Sequence, residues 1–484
     1  MLGGRHSMTF KDANRPRPAA RSLLALLAAA ALHTVPAAAQ PDAAQADPLD
    51  TAAAEDAVDA SSVGSTNGDD ATLAQDALTE ESLTGDAALP NNWFEIRVTI
   101  EDLADAGDYA TAIELSDLLL ELAEAQYGPE SDNLAQSHLL IAKLHRQSGD
   151  YAAAETSVLD AIGVYEAAEG PLTEKLIEPF LELGETYYAD ERYANALASY
   201  GEARTIGRRA YGLLNEDQLT IIDRMTDAAL ELNDFEEAQS LQLEALMLIE
   251  RRYDAEAPEA IEARFDYAAW LREQRRYQQE RLQYHEIMRI VSRAYGDLDL
   301  RIVRALRERA NSFRVERNGD SLGLSGLRDA LDIVRELPEP APLIEAEVLR
   351  DLGDWDVAFS RVGARGSEYL EAWALLGRVE NGDELRREWF EDLAIVYLAP
   401  LSPRGLSNAP DAAKGRVVVA FTVDTSGVTS DIEINESDPP GFKDAAVERQ
   451  IRASRFRPRI VNGVLTSARR VLGLDFSYNP DFVD

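Results

Sequence analysis

The chain has 484 residues, enough for two or three domains, and its 45% hydrophobic and 28% charged residues are an ordinary globular balance. Its 87 acidic against 48 basic residues leave a net charge of −39, which argues against binding nucleic acid or an anionic membrane, since both need a basic face. The absence of cysteine excludes disulfides, thiol catalysis and Cys-ligated metal sites, and leaves the redox compartment open.

At the N-terminus, Arg5, Lys11, Arg15, Arg17 and Arg21 form a basic stretch, Ser22 to Leu32 is an apolar core, and Ala37-Ala38-Ala39 gives an A-x-A site before Gln40. This predicts an export signal over residues 1–39, hence a periplasmic protein. The competing reading is an uncleaved inner-membrane anchor facing the periplasm, although His33, Thr34 and Pro36 leave the apolar run short of the roughly 20 residues a span needs. Residues 40–90 hold twelve acidic residues and no Lys, Arg or aromatic, so they cannot bury enough apolar surface to offset chain entropy. A disordered acidic linker is expected there.

Tyr109, Tyr151, Tyr193, Phe235 and Tyr277 stand 42 residues apart, and a second track, Tyr127, Glu169, Tyr211, Tyr253 and Tyr295, keeps the same period. Apolar residues at helical spacing fill the interval, so each unit reads as a helix pair that must stack on its neighbours to bury its apolar face. The predicted fold is mainly α, an α-solenoid over residues 91–398. Past Gly296 the phase falters at Asn318-Gly319-Asp320, and a shorter unit is read from Gly353-Asp354-Trp355 with Ala358, as if it repeated the Gly107-Asp108-Tyr109 turn. Seven units are expected, closed by a capping helix around Arg386 to Leu398.

Leu183-Gly184, Tyr187, Tyr193, Ala196, Tyr200 and Ala203 resemble the tetratricopeptide repeat consensus, and the 42-residue unit resembles the longer variant of kinesin light chains. The resemblance implies that the first helix of each unit lines a groove. Carried over in phase, the groove positions are Lys143, Arg146, Glu178, Glu185, Tyr188, Asp223, Asp227, Glu262 and Arg272. An acidic middle favours a basic or N-terminal peptide segment, whereas the plainer reading is a set of solvated helix faces. Beyond the signal region the histidines are His138, His145 and His285, and they lack metal-ligand spacing. No nucleophile-elbow, Walker or dinucleotide motif appears, so no catalytic, metal or cofactor-binding residue is assigned.

From about residue 399 the period changes from helix to strand, in a β-β-α-β order: Arg416 to Val423, an Asp424–Gly427 turn, Val428 to Ile434, a helix over Phe442 to Ser454, and a last strand over Ser467 to Tyr478. Gly415 to Val419, Phe421, the Asp424–Gly427 turn, Phe442, Arg455-Phe456-Arg457-Pro458 and Gly463 resemble the C-terminal domain of TonB-type energy transducers. That resemblance implies a small α+β module over 399–484 that grips an extended outer-membrane receptor segment by strand addition, here along Ala468, Arg469, Arg470, Val471, Leu472, Leu474 and Phe476. Arg449, Arg452, Arg455, Arg457, Arg459, Arg469 and Arg470 make the module locally basic. They suit an anionic partner, a dock on the acidic solenoid, or ordinary packing and solvation.

The leading expectation is therefore an exported, non-enzymatic envelope scaffold that binds protein partners through both parts. The alternative is a TonB-type energy transducer with an uncleaved anchor, though repeats stand where such a transducer has a Pro-rich rod. An enzyme is a third and distant reading. The sequence does not fix partner identity or oligomeric state.

Overall fold

The 42-residue period is written into the backbone as two left-handed residues per unit. Gly107, Gly149, Glu191, Asn233, Arg275 and Arg317 carry φ values of 79, 88, 59, 59, 57 and 61° at the turn inside each helix pair, and Gly128, Gly170, Gly212, Asp254 and Gly296 carry 93, 90, 92, 76 and 94° between pairs. The structure, a computed structural model, describes residues 92–319, 321–359, 366–392, 394–407 and 412–482. The expected export signal and acidic linker lie outside the described residues.

The described chain divides into two compact units, with the division inside one helix. The first holds α1 (Trp93–Asp105), α2 (Tyr109–Glu114), α3 (Ser116–Tyr127), α4 (Asp132–Ser148), α5 (Tyr151–Glu169), α6 (Ile177–Ala189), α7 (Tyr193–Tyr211), α8 (Gln218–Glu231) and the start of α9 (Phe235–Tyr253). The second continues through α10 (Pro258–Glu273), α11 (Tyr277–Tyr295), α12 (Leu300–Val315), α13 (Ser321–Glu336), α14 (Pro342–Ala358), α15 (Ser367–Leu376) and α16 (Gly382–Arg386). Counting α2 and α3 as one interrupted helix, the described residues contain seven helix pairs, α1 through α15.

The recurring Gly-Asp-aromatic motif builds the turn residue by residue. Gly ends one helix in the left-handed conformation that a side chain resists, and Asp caps the next: Asp108 accepts from Thr111 N at 3.2 Å and Asp150 from Ala153 N at 3.1 Å. The aromatic then opens the second helix, whose Ala112, Ala154, Ala196 or Ala238 is fully buried against the first. In the third pair a Cβ on Gly184 would lie 2.3 Å from the Tyr200 ring, so only glycine admits that buried tyrosine.

Gly353-Asp354-Trp355 corrects the sequence reading. It lies inside α14 and makes no turn. Gly353 instead repeats the role of Gly184: its missing side chain admits Tyr369, whose ring would meet a Cβ at 2.4 Å, and both tyrosines follow their glycine by the same sixteen residues. The expected capping helix is also shorter. Helix α16 ends at Arg386, a π-helical turn runs to Glu391, and β1 (Ile395–Tyr397) follows, because a strand in the C-terminal module supplies its backbone partners.

That module contains β2 (Ala413–Val423), β3 (Thr429–Asp438), α17 (Asp444–Ala453), β4 (Arg455–Phe456), β5 (Arg459–Val461), β6 (Val464–Thr466) and β7 (Ala468–Tyr478). The main sheet has the order β3-β2-β7, all antiparallel, and its strands with α17 form the expected β-β-α-β frame; the β5–β6 hairpin at Asn462-Gly463 is an addition. Val447 and Ile451 of α17 share a core with Val417, Val419, Phe421, Val423, Leu474 and Phe476. β1 pairs with β4, so the ladder crosses the boundary expected at 398.

The module also shares the core of the last repeats. Ile460 is fully buried in the cluster that holds Trp355, Tyr369, Trp389 and Phe390, and Leu465 packs beside it. Gly427, left-handed at φ 79°, leaves no room for a side chain between Val357 and Phe456. Arg457 donates to both oxygens of Asp354 at 2.9 and 2.8 Å and to Trp389 O at 2.8 Å, while Tyr369 OH donates to the same carboxylate at 2.8 Å. Both charged side chains are buried, at 12% and 8% exposure. Burial alone would raise the Asp354 pKa, but Arg457, with Arg314 and Arg350 nearby, holds it below the usual carboxylate range.

Gly184→Ala is expected to overpack the Tyr200 contact and cost about 1–3 kcal/mol, whereas Gly163→Ala, in open space on α5, is expected to gain about 0.5–1 kcal/mol of helix propensity; urea unfolding of both variants checks the register. Removing one partner of the buried pair, as Arg457→Met or Asp354→Leu, should cost about 3–5 kcal/mol, and the double variant should recover much of that loss. Because the folded Asp354 pKa is depressed, its contribution is fully present above the unfolded value of about 3.9 and is lost as pH falls through the lower folded value. Acid titration of stability should show that loss in the wild type and not in Asp354→Leu.

Candidate peptide-binding surfaces

The sequence-predicted groove positions lie on the first helices of the pairs, and charge joins α4 to α6 and α6 to α8 in the first unit, and α10 to α12 and α12 to α14 in the second. In the first unit Lys143 on α4 donates to Glu178 on α6 at 3.2 Å, and Arg146 reaches the buried Glu182 at 2.7 Å. Glu185 accepts from Tyr200 OH at 3.0 Å and from Arg224 on α8 at 3.2 Å. Burial raises the Glu182 carboxyl, and the Arg146 bonds only partly oppose it. Tyr188 packs edge-on against Tyr193 with ring centroids 5.2 Å apart. Its hydroxyl pKa is pushed up to about 12, first by burial and then by Glu231 and Asp227.

In the second unit Glu262 on α10 accepts from Arg304 on α12 at 2.7 Å. Arg272 faces partly inward: it binds the fully buried Glu280 of α11 at 2.6 Å, Tyr284 OH at 2.9 Å and Glu308 of α12 at 2.8 Å. Arg307 on α12 continues the ladder to Glu347 at 2.6 Å and Asp351 at 2.7 Å, both on α14. Glu178, Glu185 and Glu262 are thus compensated by bases one helix away, and Asp223 also has a partner. Asp227 and Glu231, beside Tyr188, make no ion pair among the described residues.

Sequence reasoning missed Glu182, Arg224, Arg304, Arg307, Glu308, Glu347 and Asp351. The signal was present: the paired charges are 35 to 44 residues apart, about one repeat. Among the described residues no cluster of three His, Asp or Glu could hold a metal ion, and none of the helices is long and apolar enough to cross a membrane. Burial lowers the His138 pKa.

On the module, the expected binding strand β7 forms one edge of the sheet. Ala468, Leu474 and Phe476 are buried on the core face, Arg470 and Leu472 are half-buried, and Arg469 and Val471 are exposed. Ser477 O accepts from Ser407 N, and Asn479 N donates to Gly405 O, so at these odd-numbered positions the backbone points away from β2. The β2–β7 register runs without a bulge from Ala468 to Tyr478. The same parity therefore turns the backbone groups of Arg469, Val471, Gly473 and Asp475 outward, and among the described residues they have no backbone partner there. The segment Gly405–Ser407 closes the edge beyond Asp475. The opposite edge, β3, is interrupted by two register shifts and carries Asp431, Glu433 and Glu436, features that discourage pairing.

The arginine cluster divides by role. Arg457 and Arg470 anchor the module to the end of the repeats, Arg470 through Glu391 O, while Arg469 pairs with Glu433 and Arg452 with Glu448 on the module itself.

Comparison with known proteins matches the tetratricopeptide repeat family over residues 100–167 and the Gram-negative bacterial TonB protein C-terminal family over residues 410–478. No curated protein matches the chain. Similar solved structures include a putative kinesin light chain with nearly identical TPR-like repeats from Podosopora anserina, at 13% identity and a TM-score of 0.35 over 42% of this chain and 96% of that one. Another is the C-terminal part of a TPR repeat-containing protein from Cytophaga hutchinsonii, at 11% identity and a TM-score of 0.34 over 59% of this chain and 95% of that one. The chain thus joins an array of helix pairs, similar to tetratricopeptide repeats over residues 100–167, to a C-terminal module similar to the TonB C-terminal domain.

Proposed function

We propose that this protein is an exported, non-enzymatic scaffold of the Gram-negative cell envelope, which holds one partner on the first-helix faces of its repeats and a second, extended peptide on β7. The observation that carries the reading is the outward backbone of Arg469, Val471, Gly473 and Asp475, a length of unpaired edge that accepts a strand of about five to seven residues. Segments of outer-membrane receptors are the peptides that the TonB resemblance suggests. On the repeats, Tyr188 with Asp227 and Glu231 offers an aromatic and acidic patch whose charge suits a basic or N-terminal segment. The reading requires no catalytic group or cofactor.

Strand addition depends on main-chain donors, so a backbone change must weaken it more than a side-chain change. Val471→Pro removes an N–H that faces away from β2, which leaves the sheet intact and should abolish capture of peptides from outer-membrane receptor N-termini. Val471→Ala should weaken capture only a few-fold, by removing a side chain that is 58% exposed. The titration uses the full chain, because Ile460 and Arg457 of an isolated module would lose their partners in the repeats. Equal binding by wild type and the proline variant would exclude this mechanism.

Export rests on the Ala37-Ala38-Ala39 site. N-terminal sequencing of the protein from its native host should find a start at or near Gln40, with the protein in the soluble periplasmic fraction. Recovery in inner-membrane fractions with residues 1–39 intact would reject it and favour the anchored energy transducer.

A further inference from the structure

A cavity of about 220 Å³ lies where α12 and α14 meet the module, and neither peptide surface uses it. Its lining is mainly polar and includes Arg307, Arg314, Arg350 and Arg457 with Asp351 and Asp354. The guanidiniums there are not equally paired. Arg457 is matched by Asp354, and Arg307 by Asp351 and Glu347. Arg350 shares the other oxygen of Asp351 at 3.0 Å and lies over the Trp389 ring at 4.3 Å. Arg314 donates only to neutral acceptors, Val396 O at 2.6 Å and Asn311 Oδ1 at 2.7 Å, and among the described residues no carboxylate lies within ion-pair reach of it. Glu308, the remaining acid of the lining, faces Arg272, which it shares with the buried Glu280. Of the four guanidiniums, Arg314 alone bonds no carboxylate among the described residues.

We propose that this cavity binds a small oxyanion, a carboxylate or phosphate group, between Arg314 and Arg350. A recessed cation without a counter-ion is costly, and an oxyanion offsets that cost while accepting from the unused edges of planar guanidinium forks. The volume is adequate, since a cavity of about 150 Å³ already holds a ring the size of benzene. The ligand's charge selects it: a neutral molecule leaves the Arg314 guanidinium without a carboxylate or phosphate partner, and a cation is repelled by it.

The test follows thermal unfolding and binding heat of the full chain with inorganic phosphate and with malonate, against sodium chloride at matched ionic strength. The expected result is a saturable rise in Tm and a one-site heat with at least one of the two anions. Arg314→Gln should weaken that binding by at least about tenfold, and Arg452→Gln, on the exposed face of α17, should leave it unchanged. Arg350→Gln serves as a second variant should Arg314→Gln unfold the chain. Acetyl-triglycine, with its C-terminus free or amidated, separates the sources: competition by the free form alone assigns the site to a chain end, and no competition assigns it to a free anion. A rise in Tm no greater than that with chloride, or a heat that survives in both cavity variants, would overturn the proposal in favour of a water-filled space.

Discussion

The end of this protein depends on one carboxylate. In the third helix pair Gly184 admits Tyr200, and the adjacent Glu185 accepts from that tyrosine and from Arg224 on the next first helix. In the seventh pair Gly353 admits Tyr369, and the adjacent Asp354 accepts from that tyrosine and from Arg457, which belongs to no helix pair. The C-terminal module thus supplies the arginine that an eighth repeat would have supplied. The two pairs differ in burial. Arg224 and Glu185 remain half in solvent, where such a contact contributes little, whereas Asp354 and Arg457 are sealed under Trp389 and Phe390. Sealing makes the second contact specific, because neither charge tolerates the loss of the other.

Much of the array was legible because its period is fixed by steric rules that act locally. Left-handed turns, aspartate caps and buried alanines recur where the aromatic tracks place them, and the phase extends to Arg317, one unit further than those tracks showed. The failures came where a local pattern has two uses. Gly-Asp followed by an aromatic is a turn at residue 107 and a helix interior at residue 353, and only the ring of Tyr369, sixteen residues away, decides between them. Likewise, the helical spacing beyond Arg386 yields to a strand because β4, some sixty residues later, offers backbone partners that no local pattern announces.

The candidate surfaces could be located on helices and strands from the sequence, but their state could not. Alternation identified β7 and its exposed side chains, but which of the two edge strands stays open depends on sheet order and on where Gly405–Ser407 returns. The acidic candidate residues lie on the first helices, yet the charge of Glu178, Glu185 and Glu262 is taken up by bases one unit away, so an acid count overstates the field a ligand would meet. Arg272 and Arg457 show the same limit: a charged residue on a helix or strand reads as surface until its buried partner is located.

The charge ladder also bears on how such an array evolves. Lys143 with Glu178 and Arg307 with Glu347 carry the base on the earlier helix, whereas Glu185 with Arg224 and Glu262 with Arg304 carry it on the later one. Deleting or duplicating a single unit by recombination would therefore bring unmatched or like charges face to face at the new junction, although the helices themselves would stack as before. The interfaces behave as a keyed sequence rather than as interchangeable joints, and the number and order of units are inherited together.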